Sequence, residues 1–230
     1  MIFTDLKLFD IVLHDASLRP MGTDRAPGMH VSHIVRKMKE AAGEKVTGVE
    51  GEQAELRPQI GFLWELALEH VWKEYARVVR PVSHQLNLKL NDVSGTPDGF
   101  DDGSGWAELR DEDLMGDHLT LAGIRSDVPC IEEYKFTWRS LRKWQEDPRQ
   151  HFWSWIVQGM AYLKMLSELL GLPVRRLRYF IFWAGGDYRY GLGHGPQPTV
   201  TDIDVTDEEV EENWQSMMRY KAWMEKGGVQ

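Results

Sequence analysis

The segments Gly95-Thr96-Pro97-Asp98 and Ile131-Glu132-Glu133-Tyr134-Lys135-Phe136 hold residue types from which metal-assisted hydrolysis can be built. Side chains alternate along a strand, so Glu133 and Lys135 share one face with Ile131 and Thr137. Glu132, Tyr134 and Phe136 take the other face. A carboxylate and an amine then lie side by side, and Asp98 can add a second carboxylate. Such oxygens suit a hard divalent cation, Mg²⁺ or Mn²⁺, while a neighbouring lysine can hold a phosphate or the attacking water. The combination fits phosphodiester hydrolysis. Taken singly, each motif reads more readily as a turn aspartate or as a surface strand of alternating charge.

Positioning these groups requires a strand pair and covering helices. Pro20, Gly22, Pro27 and Gly28 mark residues 1–30 as an irregular arm. A short amphipathic helix is predicted over 31–42, with Ile34 and Met38 on one side and Arg36, Lys37 and Lys39 on the others. A longer helix follows over 58–79, from Pro58 to just before Pro81, with an apolar stripe through Ile60, Trp64, Leu68 and Val71. Glu65 lies at the edge of that stripe, one turn after Gly61. Residues 82–91 alternate as a strand, and Gly95 to Gly99 reads as a turn into a second one. The Asp-, Glu- and Gly-rich stretch 101–127 reads as a hairpin insertion.

Beyond the strand from Cys130 to Thr137, a long helix is predicted over 148–170, closed by Gly171 and Pro173. Residues 177–184 form a continuous apolar run, as in a central strand covered on both faces. Edge strands are expected at 188–190 and 200–205. Thr206 then caps a terminal helix whose first turns carry Asp207, Glu208, Glu209, Glu211 and Glu212, favourable at the positive end of a helix dipole. The pattern predicts an α/β (α+β) fold, a central mixed β-sheet flanked by helices, as one domain over 1–230.

Composition narrows the functional classes. The 230 residues carry a net charge of −9, which argues against a protein that coats nucleic acid by bulk electrostatics. An enzyme that gathers carboxylates around cations and confines its basic residues to one groove remains compatible with DNA. The single cysteine, Cys130, excludes a disulfide or a four-cysteine zinc or iron–sulfur site within one chain, and it reads as a buried structural thiol. No Gly-Lys-Ser or Gly-Lys-Thr phosphate loop occurs, so no nucleotide cofactor is expected. No apolar run approaches a membrane span, and the first residues lack the pattern of a secretory signal, which predicts a cytoplasmic protein with no membrane partner. His30 and His33 lack a third ligand nearby and read as surface residues. The turn 191–195, Gly-Leu-Gly-His-Gly, lacks the strand-to-helix context of a nucleotide-binding loop.

In order along the chain, Pro97-Asp98 and Glu133-x-Lys135 resemble the signature of the PD-(D/E)XK nuclease superfamily. Gly61 with Glu65, and Gln158-Gly159-Met160-Ala161-Tyr162, resemble the accessory motifs of its RecB and lambda-exonuclease (YqaJ-type) branch, across roughly residues 30–185. The resemblance implies a restriction-endonuclease-like core and a phage-type DNA exonuclease that leaves 5′-phosphates. It implies one or two Mg²⁺ or Mn²⁺ ions on Glu65, Asp98, Glu133 and a backbone carbonyl of Glu133 or Tyr134. Lys135 would then orient or deprotonate the water, or contact the scissile phosphate. Gln158 and Tyr162, four apart and so on one side of a helix, would line the active site. Ser32 and Arg36 correspond to positions that bring in a terminal phosphate. Arg139, Arg142, Lys143 and Arg149, interleaved with Trp138 and Trp144, offer a phosphate grip with rings for base stacking. A homo-oligomer and a single-strand annealing or recombinase partner are among the associations known for such enzymes. The rival readings are an endonuclease, a non-cleaving nucleic-acid-binding module on the same fold, and a carboxylate-pair hydrolase of a non-nucleic substrate.

Overall fold

A computed structural model describes residues 29–44, 87–101, 103, 128–185 and 197–227. The first 28 residues of the arm, the helix expected at 58–79 with Glu65, most of the insertion and the strand expected at 188–190 lie outside the described residues, while Met29 and His30, at the end of the expected irregular arm, form a short strand instead. The described elements are β1 (Met29–His30), α1 (Val31–Ala41), β2 (Leu88–Leu90), β3 (Val93–Gly95), β4 (Gly99–Asp101), β5 (Cys130–Thr137), α2 (Leu141–Glu146), α3 (Pro148–His151), α4 (Trp153–Leu170), β6 (Arg176–Trp183), β7 (Gln197–Asp204) and α5 (Asp207–Glu225).

Two mixed sheets carry the fold. In the larger, ordered β4-β5-β6-β7, the pairings run antiparallel, parallel and antiparallel. The parallel pair β5 and β6 needs a long crossover, which α2, α3 and α4 supply. In the smaller, ordered β1-β3-β2, the strands β2 and β3 form a hairpin. Its turn is Asn91-Asp92, both at positive φ, 49° and 57°, as a two-residue hairpin loop matched to strand twist requires. The helices pack on the mixed sheets as the sequence pattern predicts.

The strand expected at 200–205 starts earlier, as β7, and two helices differ from expectation. The helix predicted over 148–170 is broken at Phe152, whose φ of −128° lies outside the helical region, giving α3 and α4. Asp147 caps α3, its carboxylate accepting from the Gln150 amide at 3.0 Å, with Pro148 in the first turn. Phe152 leaves the helix path because its ring is wholly buried against Trp144, Trp155 and Trp183. The second difference is α2, where the sequence pattern gave only a connection. One core ring, Trp144, 3% exposed, organises this short helix.

Helix α4 lies between the inward face of the large sheet and the helices α1 and α5, so it is buried around much of its circumference. The side chains beneath it include Ile131, Leu177, Tyr179, Ile181 and Trp183. Gly159 sets the helix-to-sheet distance, since a Cβ there would stand 2.8 Å from both Leu177 Cδ atoms and from the Tyr179 hydroxyl. Gly159→Ala is therefore expected to destabilise the fold. Overpacking costs about 1–3 kcal/mol against a helix-propensity gain of about 1 kcal/mol, for a net fall of a few degrees in Tm by calorimetry. The terminal helix α5 starts as predicted, with Thr206 and Glu209 forming a reciprocal capping box. Gly171, at φ 67°, ends α4 in the left-handed conformation.

Candidate active site

The strand β4 begins at Gly99, paired with Glu132, so β5 continues past the end of its neighbour. Asp98 stands at that step. Its Oδ2 accepts the Tyr134 amide at 2.7 Å, an edge donor that the short β4 cannot reach. The same oxygen lies 3.8 Å from Lys135 Nζ. Lys135 in turn donates to Glu133 Oε2. Two segments separated by the 101–127 stretch thus place Asp98, Glu133 and Lys135 in one cluster.

Glu133 points toward α4 and is 1% exposed. Its Oε1 is buried with no hydrogen-bond partner among the described residues. Burial is the largest influence on this carboxyl and outweighs the Lys135 charge; with Asp98 also opposing ionisation, its pKa is pushed up to about 7. Beside it on β6, in parallel register, sits Tyr179. The Tyr179 hydroxyl donates to the Trp155 carbonyl on α4 at 2.9 Å, and burial, then the Glu133 charge, pushes that phenol well above its ordinary pKa. Tyr179 was not singled out from sequence, although it stands inside the predicted central strand. Only the strand register reveals it as a wall of the Glu133 pocket.

Gln158 and Tyr162 lie on α4, where the Gln158 side-chain amide donates to the Tyr162 hydroxyl at 2.8 Å. Tyr162 packs on Gly95, where a Cβ would come within 2.5 Å of the ring. The chain leading to Asp98 can therefore pass close beneath the helix because residue 95 has no side chain.

The remaining basic residues are all exposed, and two of them are also anchored. The Arg139 guanidinium donates to the His151 carbonyl at 2.6 Å and lies 4.2 Å from the Phe152 ring centroid, which makes it part of the α3–α4 junction. Arg149 pairs with Glu209 and donates to the Asp204 carbonyl, tying α3 to the far edge of the molecule. Trp144 is a core ring, and the stacking role open to it from sequence falls away. Arg142, with 86% of its side chain exposed, bonds Glu146 one turn on, and Lys143 is exposed beside it. Ser32 and Arg36 are exposed on α1, where Arg36 lies 3.9 Å from Glu40.

A second group lies on the opposite face of β5. One ligand atom each of Asp101, Cys130 and Glu132 falls within 4.8 Å of the others, all three residues being buried. This buried acidic and thiol set is of a kind that can hold a metal ion. Asp101 Oδ1 already accepts the Gly103 amide at 2.7 Å, and Glu132 Oε2 accepts the Tyr134 hydroxyl at 3.0 Å. The buried Arg178, paired in register with Glu132 and donating from Nε and Nη2 to the two Asp202 oxygens, adds positive charge on that face. The alternation Cys130-x-Glu132 was visible in the sequence; the partner Asp101 depends on the β4 register.

No family model and no curated protein matches the chain. Among solved structures, it is similar to SSO0001, at 10% identity and a TM-score of 0.40 over 93% of this chain and 84% of that one. It is also similar to an alkaline exonuclease, LHK-Exo from Laribacter hongkongensis, at 13% identity and a TM-score of 0.38 over 87% of this chain and 89% of that one. The same exonuclease in complex with dAMP gives 15% identity and a TM-score of 0.41 over the same shares. Among the described residues, no helix is long and apolar enough to cross a membrane.

Proposed function

We propose that the protein is a Mg²⁺- or Mn²⁺-dependent deoxyribonuclease of the PD-(D/E)XK type, an exonuclease leaving 5′-phosphates in phage-type recombination or DNA processing. The supporting observation is Glu133 Oε1, a carboxylate oxygen buried without a hydrogen-bond partner among the described residues, beside Asp98 and Lys135. An orphaned buried oxygen costs about 1–3 kcal/mol, a cost retained where the atom serves a ligand. Two carboxylates, one with a buried oxygen that no described residue bonds, fit a hard divalent cation.

Asp98 and Glu133 would hold the ion, with Glu65 and a backbone carbonyl of Glu133 or Tyr134 completing the set. When bound, it would supply Lewis acidity to the phosphoryl group and a lowered pKa to a water. Lys135, fixed by Glu133, orients the attacking water or the scissile phosphate from the open side of the cluster. Tyr179 and α4 exclude bulk water behind Glu133, which strengthens every charge interaction in the pocket. Gln158 and Tyr162 wall the neighbouring side against the nucleotide, and Ser32, Arg36, Arg142 and Lys143 meet the backbone phosphates.

Incubating end-labelled linear DNA with the protein tests the reading. Loss of full-length DNA with Mg²⁺, abolished by chelator and yielding mononucleotides, is the expected result. Absence of metal-dependent loss under every ionic condition would favour the non-cleaving module, and internal cuts in circular DNA would favour an endonuclease.

A further inference from the structure

We infer that Glu132 and Tyr134, on the reverse face of β5, are positioning residues that hold Asp98 where it can receive the metal ion. This rests on the nuclease reading and gives two side chains outside the Glu133 pocket a part in it. Asp98 stands immediately before β4, a strand of only three residues. Its Oδ2 accepts the Tyr134 amide at 2.7 Å, so any movement of the start of β4 against β5 carries the carboxylate with it.

The start of β4 is Gly99, paired with Glu132. A Cβ on Gly99 would stand 2.7 Å from Glu132 Oε2, 3.3 Å from Glu132 Cβ and 3.3 Å from the Tyr134 hydroxyl oxygen. The Glu132 carboxylate thus fills, over the Gly99 backbone, the space that a side chain would take. The Tyr134 hydroxyl keeps it there, donating to Oε2 at 3.0 Å. Phe180, in register with Tyr134, meets that ring edge-on at 5.4 Å, and Arg178, in register with Glu132, attracts the carboxylate from the β6 side. Glu132 and Tyr134 are 6% and 7% exposed, so a carboxylate released from this bond stays buried and poorly solvated.

Tyr134 therefore works on both sides of one step in the sheet. Its amide holds Asp98 Oδ2, and its hydroxyl holds the carboxylate seated on the neighbouring Gly99. Together they close β4 against β5 and set the height at which Asp98 stands beside Lys135 and Glu133. Outer hydrogen-bond partners that orient ligating groups in this way govern metal affinity.

The test is Mn²⁺ titration followed by the electron paramagnetic resonance of the free ion, with cleavage of linear DNA measured over the same Mn²⁺ series. Tyr134→Phe keeps the ring and the amide and removes the hydroxyl. It is expected to raise the Mn²⁺ Kd about tenfold and to raise the Mn²⁺ concentration for half-maximal cleavage by the same factor, so that added Mn²⁺ restores cleavage. Gly99 lies outside the left-handed region, so Gly99→Ala adds bulk without backbone strain. Its Cβ displaces Glu132 Oε2 and should raise the Kd at least as much; this variant decides if circular dichroism shows Tyr134→Phe to be unfolded. Glu132→Gln keeps an oxygen that can accept the hydroxyl and should change the Kd by less than about threefold. A wild-type Kd in Tyr134→Phe, or abolition of Mn²⁺ binding by Glu132→Gln, which would make Glu132 itself a ligand, would overturn the positioning role. Wild-type protein that binds no Mn²⁺ would overturn the nuclease reading as well.

Discussion

Lys135→Ala is expected to lower DNA cleavage by about 10³-fold, within the range of removing a positioned proton-transfer group, while leaving Mn²⁺ binding intact or tighter. The direction follows from charge. Lys135 Nζ bonds Glu133 and stands 3.8 Å from Asp98 Oδ2, so its ammonium competes with a cation for the same oxygens. Removing it takes away a competitor for the metal and the group that orients the water or phosphate. Lys135→Arg should not restore cleavage, because a planar fork cannot take the place of a compact ammonium between two carboxylates. Single-turnover cleavage and Mn²⁺ titration on the same preparation check both halves. A hydrolase of a non-nucleic substrate acting through its carboxylate pair alone would keep its turnover in Lys135→Ala.

Glu133→Gln is expected to abolish Mn²⁺ binding and cleavage and yet to stabilise the metal-free protein above neutral pH. Burial raises the Glu133 pKa to about 7 in the fold from 4.5 for the free group. Below 4.5 the carboxyl is protonated in both states and contributes no pH dependence. Between 4.5 and 7 the unfolded chain releases a proton that the folded chain keeps, so stability falls as pH rises, and the full penalty is present above 7. The opposite shifts at Asp204, Asp207, Glu209 and Glu211, lowered by Arg176, Arg175, the Thr206 amide and Gln215 in turn, act on the acid side of this window. Between pH 5 and 8 the wild-type Tm should therefore decline by about 5 °C more than that of Glu133→Gln, after discounting for coupling to Lys135. Mn²⁺ should raise the wild-type Tm more at pH 8 than at pH 5.5 and leave the variant unmoved. A variant with the wild-type slope would contradict the assignment of this titration to Glu133.

The sequence made the sheet and the core of the site legible for different reasons. Strand alternation put Glu133 and Lys135 on one face because a side-chain period of two leaves no other choice, and the apolar run at 177–184 had to be central. Thr206 announced its helix as a cap ahead of an acidic first turn, and the reciprocal bond with Glu209 followed from the structure. What escaped depends on contacts distant in sequence. Phe152 breaks a helix that propensity would continue, because its ring belongs to a cluster with Trp144 and Trp183. Arg139 reads from sequence as a phosphate contact, and its hold on Phe152 and the His151 carbonyl could not be read there. Tyr179 and Asp101 reach their faces only through the registers Glu133 to Tyr179 and Asp101 to Cys130. Glu65, on the helix predicted over 58–79, stands outside the described residues and rests on the resemblance alone.

Anomalous scattering from crystals soaked in Mn²⁺ is the most direct measurement. The account predicts a peak between Asp98 and Glu133, with Glu133 Oε1 turned onto it and Lys135 alongside. No peak there at saturating Mn²⁺, or a peak confined to Asp101, Cys130 and Glu132 on the reverse of β5, would contradict it.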